Sequence, residues 1–267
     1  MTEKVDSAVK KSFAILSTLT TFGTGASLTE LSTITGYPTS TVHRLLNELV
    51  ETGCVVQDPA TRLHWVGPAI TRIAASRPQD DLLRAVARGA LVNLSAECGE
   101  TAFLSTRHGF HLLYVDCVLS TKRLRTWGEV GTLGPLHATS QGKAILAALP
   151  DDELVRTVHQ LPLEAITPRS IVQPEALVAH LREAARLGFT VNDEEHDVGT
   201  VAIGTSVEVL TPALNSFTAS ISISSPTIRL TLDQLVEQHV PQLLAAKAAI
   251  EQRFCEIAER RQVRRVR

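Results

Sequence analysis

The chain has 267 residues, 26 basic against 28 acidic side chains and a hydrophobic fraction of 44%. At ~100–200 residues per domain this length implies two domains, and the ample aliphatic content excludes a disordered chain. No apolar run approaches the ~18 residues of a membrane-spanning helix, and an aromatic fraction of 4% disfavours a stacking platform for single strands.

The start of the chain lacks the basic, apolar and small-residue succession of a secretory leader. Cys54, Cys98, Cys117 and Cys255 are scattered, with no C-x-x-C pair. That pattern fits a reducing cytoplasm and offers no structural zinc site, metal centre or disulfide framework. A net charge of −2 speaks against a nucleic-acid partner only as a whole-chain average. Residues 1–77 hold seven lysines and arginines against six carboxylates, so the placement of charge matters more than its total.

In chain order, Val9, Phe13, Leu16 and Leu19 recur at helical spacing and predict an amphipathic helix from Ser7 to Thr21. Ser27-Leu28-Thr29-Glu30 fits a capping box at the start of a second, short helix. Gly36-Tyr37-Pro38 ends it, and Pro38 suits the opening of a third. Val42, Leu45, Leu46, Leu49 and Val50 give this third helix an apolar face, and Thr39, Ser40, Thr41, His43, Arg44 and Asn47 mark the other side. After Gly53, the pieces Cys54-Val55-Val56 and Leu63-His64-Trp65-Val66 flank the turn residues Asp58-Pro59-Ala60-Thr61. Helix, short helix, glycine turn, helix and hairpin in this order make a winged helix-turn-helix, in which the second helix of the motif enters a DNA major groove. Ser40, Thr41, His43, Arg44 and Asn47, with Arg62 on the wing, are the candidate contacts to bases and phosphates. On an arbitrary helix such residues are merely solvated, but here turn, helix lengths and wing agree.

The polar stretch Ser76-Arg77-Pro78-Gln79-Asp80-Asp81 reads as a linker, placing a DNA-binding domain over 1–77 and a second domain over 78–260. An arginine-rich tail, 261–267, is expected to fray. Within the second domain, Val201, Ile203, Thr205, Val207 and Val209 share one strand face, opposite the small Ala202, Gly204 and Ser206. Small side chains leave room for a closely packed helix or for a ligand, close packing being the commoner cause. Ser220, Ser222 and Ser224 likewise share one face, which reads either as a solvated outer surface or as hydroxyls lining a pocket. A helix starting near Thr139-Ser140 would present free amides suited to a carboxylate, with His137 before it in a structural role.

Catalytic patterns are weak. Ser140-Gln141-Gly142-Lys143 matches the serine-lysine spacing of some acyl-enzymes, but its S-D-N and K-T-G partners are missing. The glycine needed for a phosphate-binding loop is also missing. His108, His111 and Asp116 form only a loose metal-like trio, and Asp193-Glu194-Glu195 reads as a loop feature. A small-molecule enzyme or metabolite-binding protein built on the second domain stands as the alternative, with no catalytic residue and no cofactor assigned.

Four blocks in register resemble the IclR-type (isocitrate lyase regulator) transcription factors. The first runs from Leu28-Thr29-Glu30-Leu31 through Gly36-Tyr37-Pro38-Thr39-Ser40-Thr41-Val42-His43-Arg44-Leu45-Leu46. The others are Pro135-Leu136-His137-Ala138-Thr139-Ser140-Gln141-Gly142-Lys143-Ala144-Ile145-Leu146, Gly188 to Gly199, and Ile221 to Pro226 with Arg229-Leu230-Thr231. The resemblance implies an α+β chain in which the winged helix is joined to a GAF-like effector domain, an antiparallel sheet flanked by helices. It implies a homodimer or homotetramer on double-stranded operator DNA, mostly repressing, that answers a small-molecule effector. Carried over, the effector-binding positions are Ser140, Gln141, Asn192, Ala202, Ser222 and Ser224, with Trp127 as a possible wall or a core residue. Asn192 stands where the family has aspartate and Ala202 where it often has cysteine, which removes a charge and a thiol. The expected effector is an organic acid, aromatic acids included.

Overall fold

The computed structural model describes residues 7–74, 78–211 and 214–265. They form two compact units, Met1–Pro78 and Gln79–Arg267.

The first unit comprises α1 (Ala8–Leu19), α2 (Leu28–Thr35), α3 (Thr39–Glu51), the hairpin β1 (Val55–Gln57) and β2 (His64–Val66), and α4 (Pro68–Ala74). Ser27 and Glu30 close the predicted capping box at α2, each satisfying an amide that the first turn leaves open. Gly36 ends α2 with φ of 70°, a left-handed conformation that costs glycine little, and this sets the sharp turn into α3. Ile15, Leu19, Leu31, Val42, Leu45, Leu46, Leu49 and Val55 make the core.

Of the stripe expected to face inward on α1, Leu19 is buried and Leu16 packs against the core, but Val9 and Phe13 do not. Val9 and Phe13 are 66% and 65% exposed, whereas Ile15 and Leu19 are buried. More than half of this helix is apolar, and the Ile15–Leu19 side lies roughly 120° around the axis from Val9–Phe13 at 3.6 residues per turn. Spacing alone could not choose between the two stripes. Val50, counted on the apolar face of α3, is also exposed.

The second unit begins with α5 (Pro78–Cys98), β3 (Thr101–His108), β4 (His111–Val118) and β5 (Leu133–Pro135). Next come α6 (Ser140–Ala147), α7 (Asp151–Gln160), α8 (Pro174–Leu187), β6 (Thr190–Asp193), β7 (Thr200–Thr211), β8 (Leu214–Pro226) and α9 (Leu232–Arg265). Among the described residues the strands form one antiparallel sheet in the order β5-β4-β3-β8-β7-β6. This is an α+β architecture.

The alternation of side chains gives the sheet two unlike faces. Ala102, Leu104, Val201, Ile203, Val207, Ile221 and Ile223 pack against Leu83, Leu91, Leu94, Leu235, Leu243 and Phe254 of α5 and α9. The other face carries rows of small and polar side chains. Thr101, Ser224, Ala202 and Asn192 are in register, as are Phe103, Ser222, Gly204 and Thr190, and Ser105, Ser220 and Ser206. Ser220 and Ser222 are fully buried and Ser224 is 6% exposed, so this serine stripe is an inner face rather than a solvated one. What buries it includes α6, which packs with α7 and α8 around Ile145, Leu154, Val158, Leu177 and Leu181.

α9 runs to Arg265. Residues 266–267 lie outside the described residues.

Candidate functional site

In the first unit the candidate DNA face lies on α3. Ser40, His43, Arg44 and Asn47 are exposed, Thr41 is half-buried, and all sit opposite Val42, Leu45, Leu46 and Leu49. Pro38 caps α3 without a side-chain hydrogen bond, so the first-turn amides face outward at the positive end of the helix dipole. Ser32 braces the turn, its hydroxyl donating to the Tyr37 carbonyl at 2.8 Å and lying 3.1 Å from Thr39 Oγ1. Arg44 is already paired: its Nη1 lies 2.5 Å from Glu48 Oε1.

The wing is pinned from both sides. Asp58 accepts from the Ala60 amide at 2.7 Å, and Arg62 adopts φ of 61° at the hairpin tip with its side chain exposed. His64 and Ala26 exchange backbone bonds at 3.0 and 2.8 Å, adding a third bridge to the hairpin. Burial holds the His64 imidazole below its ordinary pKa, so it packs as a neutral ring.

In the second unit a cavity of about 510 Å³ opens over the polar face of the sheet. Its floor is the row Ala202, Ser224 and Asn192, its inner end is Thr139 and Gln141 at the start of α6, and the 125–134 and 196–200 segments complete the wall. Gly204 lets α6 come this close: a Cβ there would lie 2.9 Å from both the carbonyl carbon and the oxygen of Ser140. Close packing therefore explains Gly204, while Ala202, one row on, borders open space.

The start of α6 is held by side chains. Thr139 Oγ1 accepts from the Gly142 amide at 3.1 Å and donates to the Pro135 carbonyl at 2.8 Å. Thr190 Oγ1 donates to the Ser140 carbonyl at 2.7 Å. The first amides of α6 have no intrahelical acceptor, and the Gln141 side chain, 5% exposed, borders the cavity beside them. Asn192 is a strap: Nδ2 donates to the Ala138 carbonyl at 2.9 Å and Oδ1 accepts the Glu195 amide at 2.9 Å. Both ends of its amide are engaged, which leaves one N–H and one lone pair.

Aromatic rings form one side. Phe103 and Tyr114 meet at 5.6 Å between centroids and 59°, and Trp127 reaches the rim with 68% of its surface exposed. Burial, and after it the Asp197 carboxylate, pushes the Tyr114 phenol up to about 12, so it keeps its proton.

The segment bearing Trp127 hangs on a buried carboxylate. Glu100, fully buried, accepts from Arg229 Nε at 2.5 Å, Arg229 Nη2 at 2.6 Å and Lys122 Nζ at 3.0 Å, and Arg229 Nη1 donates to the Leu124 carbonyl at 2.9 Å. Burial raises the Glu100 carboxyl, but the two cations outweigh it and hold it below the usual carboxylate range. Thr126 completes the attachment, its hydroxyl donating to the Ser224 carbonyl at 3.0 Å and its own carbonyl accepting from Thr101 at 2.8 Å.

Of the residues predicted for the effector, Trp127, Gln141, Asn192, Ala202 and Ser224 meet on this cavity. Ser140 and Ser222 are fully buried away from its wall, and Ser222 Oγ has no hydrogen-bond partner among the described residues. Sequence reasoning missed Phe103, Tyr114, Arg125, Glu129, His196, Asp197 and Thr200. Phe103 on β3, Tyr114 on β4 and Thr200 at the start of β7 reach the cavity through strand pairings that the sequence does not give, and Arg125, Glu129, His196 and Asp197 come from loops whose approach no periodicity encodes.

The serine-lysine pattern does not form a catalytic pair. Lys143 is fully buried with Nζ 2.5 Å from Glu195 Oε1, and burial lowers its pKa against the opposing pull of that carboxylate. Its ammonium is committed to Glu195. His137, 2% exposed, bonds through a ring nitrogen to the Glu164 carbonyl at 2.9 Å and is structural. No three His, Cys, Asp or Glu side chains among the described residues cluster as a metal site, and no helix among them is long and apolar enough to cross a membrane.

A helix-turn-helix with a wing, followed by a ligand-sized cavity in a separate α+β unit, defines the class of DNA-binding transcriptional regulators. The comparisons with known proteins give the family. Residues 8–59 match the IclR helix-turn-helix domain and residues 79–252 match the bacterial transcriptional regulator IclR C-terminal domain. The chain is 32% identical over 238 residues to the HTH-type transcriptional repressor AllR of Escherichia coli K12, covering 88% of this chain and 86% of that one. A crystal structure of a transcriptional regulator from Rhodococcus sp. RHA1 superposes with a TM-score of 0.69 at 26% identity, covering 94% and 98% of the two chains. An IclR homologue from Microbacterium hydrocarbonoxydans, solved with 4-hydroxybenzoate, shares the fold with a TM-score of 0.67 at 23% identity, covering 94% and 100%. The chain belongs to the IclR family of bacterial transcriptional regulators, and is a regulator rather than an enzyme.

Proposed function

We propose that this regulator is a repressor that binds operator DNA through α3 and the wing, and that a small organic acid in the 510 Å³ cavity controls that binding. Ser40, Thr41, His43, Arg44 and Asn47 enter the major groove, and Arg62 follows the adjacent phosphate backbone. The carboxylate of the effector is received by Gln141 and the free amides at the start of α6, where a helix favours negative charge. Ser224 and the remaining Asn192 proton supply further donors, and Phe103, Tyr114 and Trp127 pack the apolar part. Ser140 and Ser222 support this wall from behind. The protein works in the cytoplasm as a homodimer or homotetramer, so that two copies of α3 read paired half-sites.

The observation that carries this reading is the cavity itself: its buried inner end presents donors and no carboxylate, since Asn192 occupies the floor and Glu129 and Asp197 belong to the loop segments around it. Calorimetry with 4-hydroxybenzoate, benzoate and a series of short aliphatic carboxylates tests it. Wild-type protein should show saturable heat with at least one of them, weakened by ten-fold or more in the Gln141→Ala, Ser224→Ala double variant. Equal binding by that variant would overturn the placement of the effector.

A further inference from the structure

The outward stripe of α3 runs Ser40, Arg44, Asn47 and Glu51, spaced i, i+4, i+7 and i+11, with Glu48 beside it. Only one arginine faces these two glutamates over Thr39–Glu51, so the helix offered to DNA has a formal charge of −1. Its two ends are unlike. The first turn has outward amides and hydroxyls, whereas the last turns carry Glu48 and Glu51, about 16 Å along the axis from Ser40 for the latter at 1.5 Å per residue. Carboxylates near a helix C-terminus oppose the dipole, and only Glu48 offsets this with an i,i+4 pair to Arg44, so Glu51 gains nothing for the helix. Glu48, 56% exposed, also neutralises the only cation of the stripe by pairing with Arg44.

We propose that Glu48 and Glu51 are specificity-determining residues of the DNA face. Non-specific binding is electrostatic and indifferent to sequence, so it includes poses in which the helix lies along the phosphates. The two carboxylates repel those poses. In the specific pose α3 enters N-terminus first, which leaves Glu51 farthest from the bases. Glu48 holds Arg44 until a guanine edge, with two acceptors in the geometry of the guanidinium fork, displaces the carboxylate. This rests on α3 being the reading helix, as proposed above.

The test compares wild type, Glu51→Gln, Glu48→Gln and Arg44→Ala on the DNA upstream of its own coding sequence and on an unrelated duplex of equal length, each at two salt concentrations. Glutamine keeps size and helix propensity at these exposed positions, and melting curves confirm the fold. Both glutamine variants should bind the unrelated duplex about 3–10-fold tighter, as expected for removing one like charge near the phosphates. Glu51→Gln should change the upstream site less than two-fold, and Glu48→Gln, which spares Arg44 the breaking of its pair, should tighten it by less than it tightens the unrelated duplex. Glu48→Gln, which also frees Arg44, should steepen the salt dependence by up to about one ion. Unchanged affinity for the unrelated duplex in both variants would overturn the proposal, as would a ten-fold loss on the upstream site in Glu48→Gln, which would make Glu48 a base contact. Arg44→Ala separates the two levels: loss of upstream binding there with inert glutamine variants refutes only the gating role. Unchanged upstream binding in Arg44→Ala refutes Arg44 as a base contact and with it the holding role of Glu48.

Discussion

Gly204→Ala probes the joint on which the cavity is built. The new methyl carbon would stand 2.9 Å from the Ser140 carbonyl carbon and oxygen and 3.2 Å from the Gln141 amide nitrogen. All three are backbone atoms, so no side chain can swing away to make room. Relief to an ordinary contact distance requires α6 to lift by about half an ångström, loosening the Thr190 bonds to the Ser140 and Gly204 carbonyls. Overpacking of this kind costs about 1–3 kcal/mol, offset by about 0.4–1 kcal/mol from the stiffer unfolded chain. The net centres on a loss of about 1 kcal/mol, or a fall in Tm of about 2–4 °C for a unit of this size. Circular dichroism melts measure it, and calorimetry with the effector should show weaker binding because Gln141 moves with the helix. An unchanged or raised Tm would refute the tight seating of α6 on β7.

Other substitutions test separate parts of the account. Arg44→Ala should weaken operator binding by about 1–3 kcal/mol if the guanidinium reads a base, measured by gel shift or anisotropy on the upstream DNA. Glu100→Gln leaves Arg229 and Lys122 without their carboxylate and should cost about 1–3 kcal/mol, because both cations are partly solvent-exposed. Because that carboxylate anchors the 122–126 segment, Trp127 fluorescence in a Trp65→Phe background should also change. The His180 imidazole, pushed down to about 4 by burial and then by Lys143, is neutral in the folded chain. Its folded value lies below its unfolded one, so its contribution to stability is present above about pH 6.5 and lost as pH falls through 6.5 toward 4. Denaturant titrations across that range should show the decline, and His180→Leu should flatten it. Ile15→Ala should cost about 2–5 kcal/mol by opening a core cavity, confirming which side of α1 faces inward.

The local elements of the first unit were legible because each carries its own chemistry. Ser27 and Glu30 cap in place, Gly36 supplies the left-handed turn, and Asp58 closes the wing. The inward side of α1 was legible only in part: Leu16 and Leu19 turn inward as expected, but Ile15 joins them in place of Val9 and Phe13, a rotation that only the packing partners decide. In the second unit the alternation of β7 and β8 showed two faces but not what covers them. Ser220, Ser222 and Ser224 alternate with isoleucines in the manner of a half-exposed strand, yet α6 packs over that face. The cavity was half visible. Gln141, Asn192, Ala202 and Ser224 lie on regular elements whose period exposes them, while Arg125, Glu129, His196 and Asp197 arrive on loops set by long-range bonds such as Arg229 to Glu100.

The central claim is that occupancy of the cavity and affinity for DNA are coupled. Titrating the upstream operator in the presence and absence of whichever carboxylate gives saturable heat measures this most directly, with the Gln141→Ala, Ser224→Ala variant alongside. Coupling of about 1–3 kcal/mol, a 5–150-fold change in operator affinity, is predicted for the wild type and should vanish in the variant at the same ligand concentration. Operator affinity that does not move when the cavity is saturated, or that moves equally in the variant, would contradict the account.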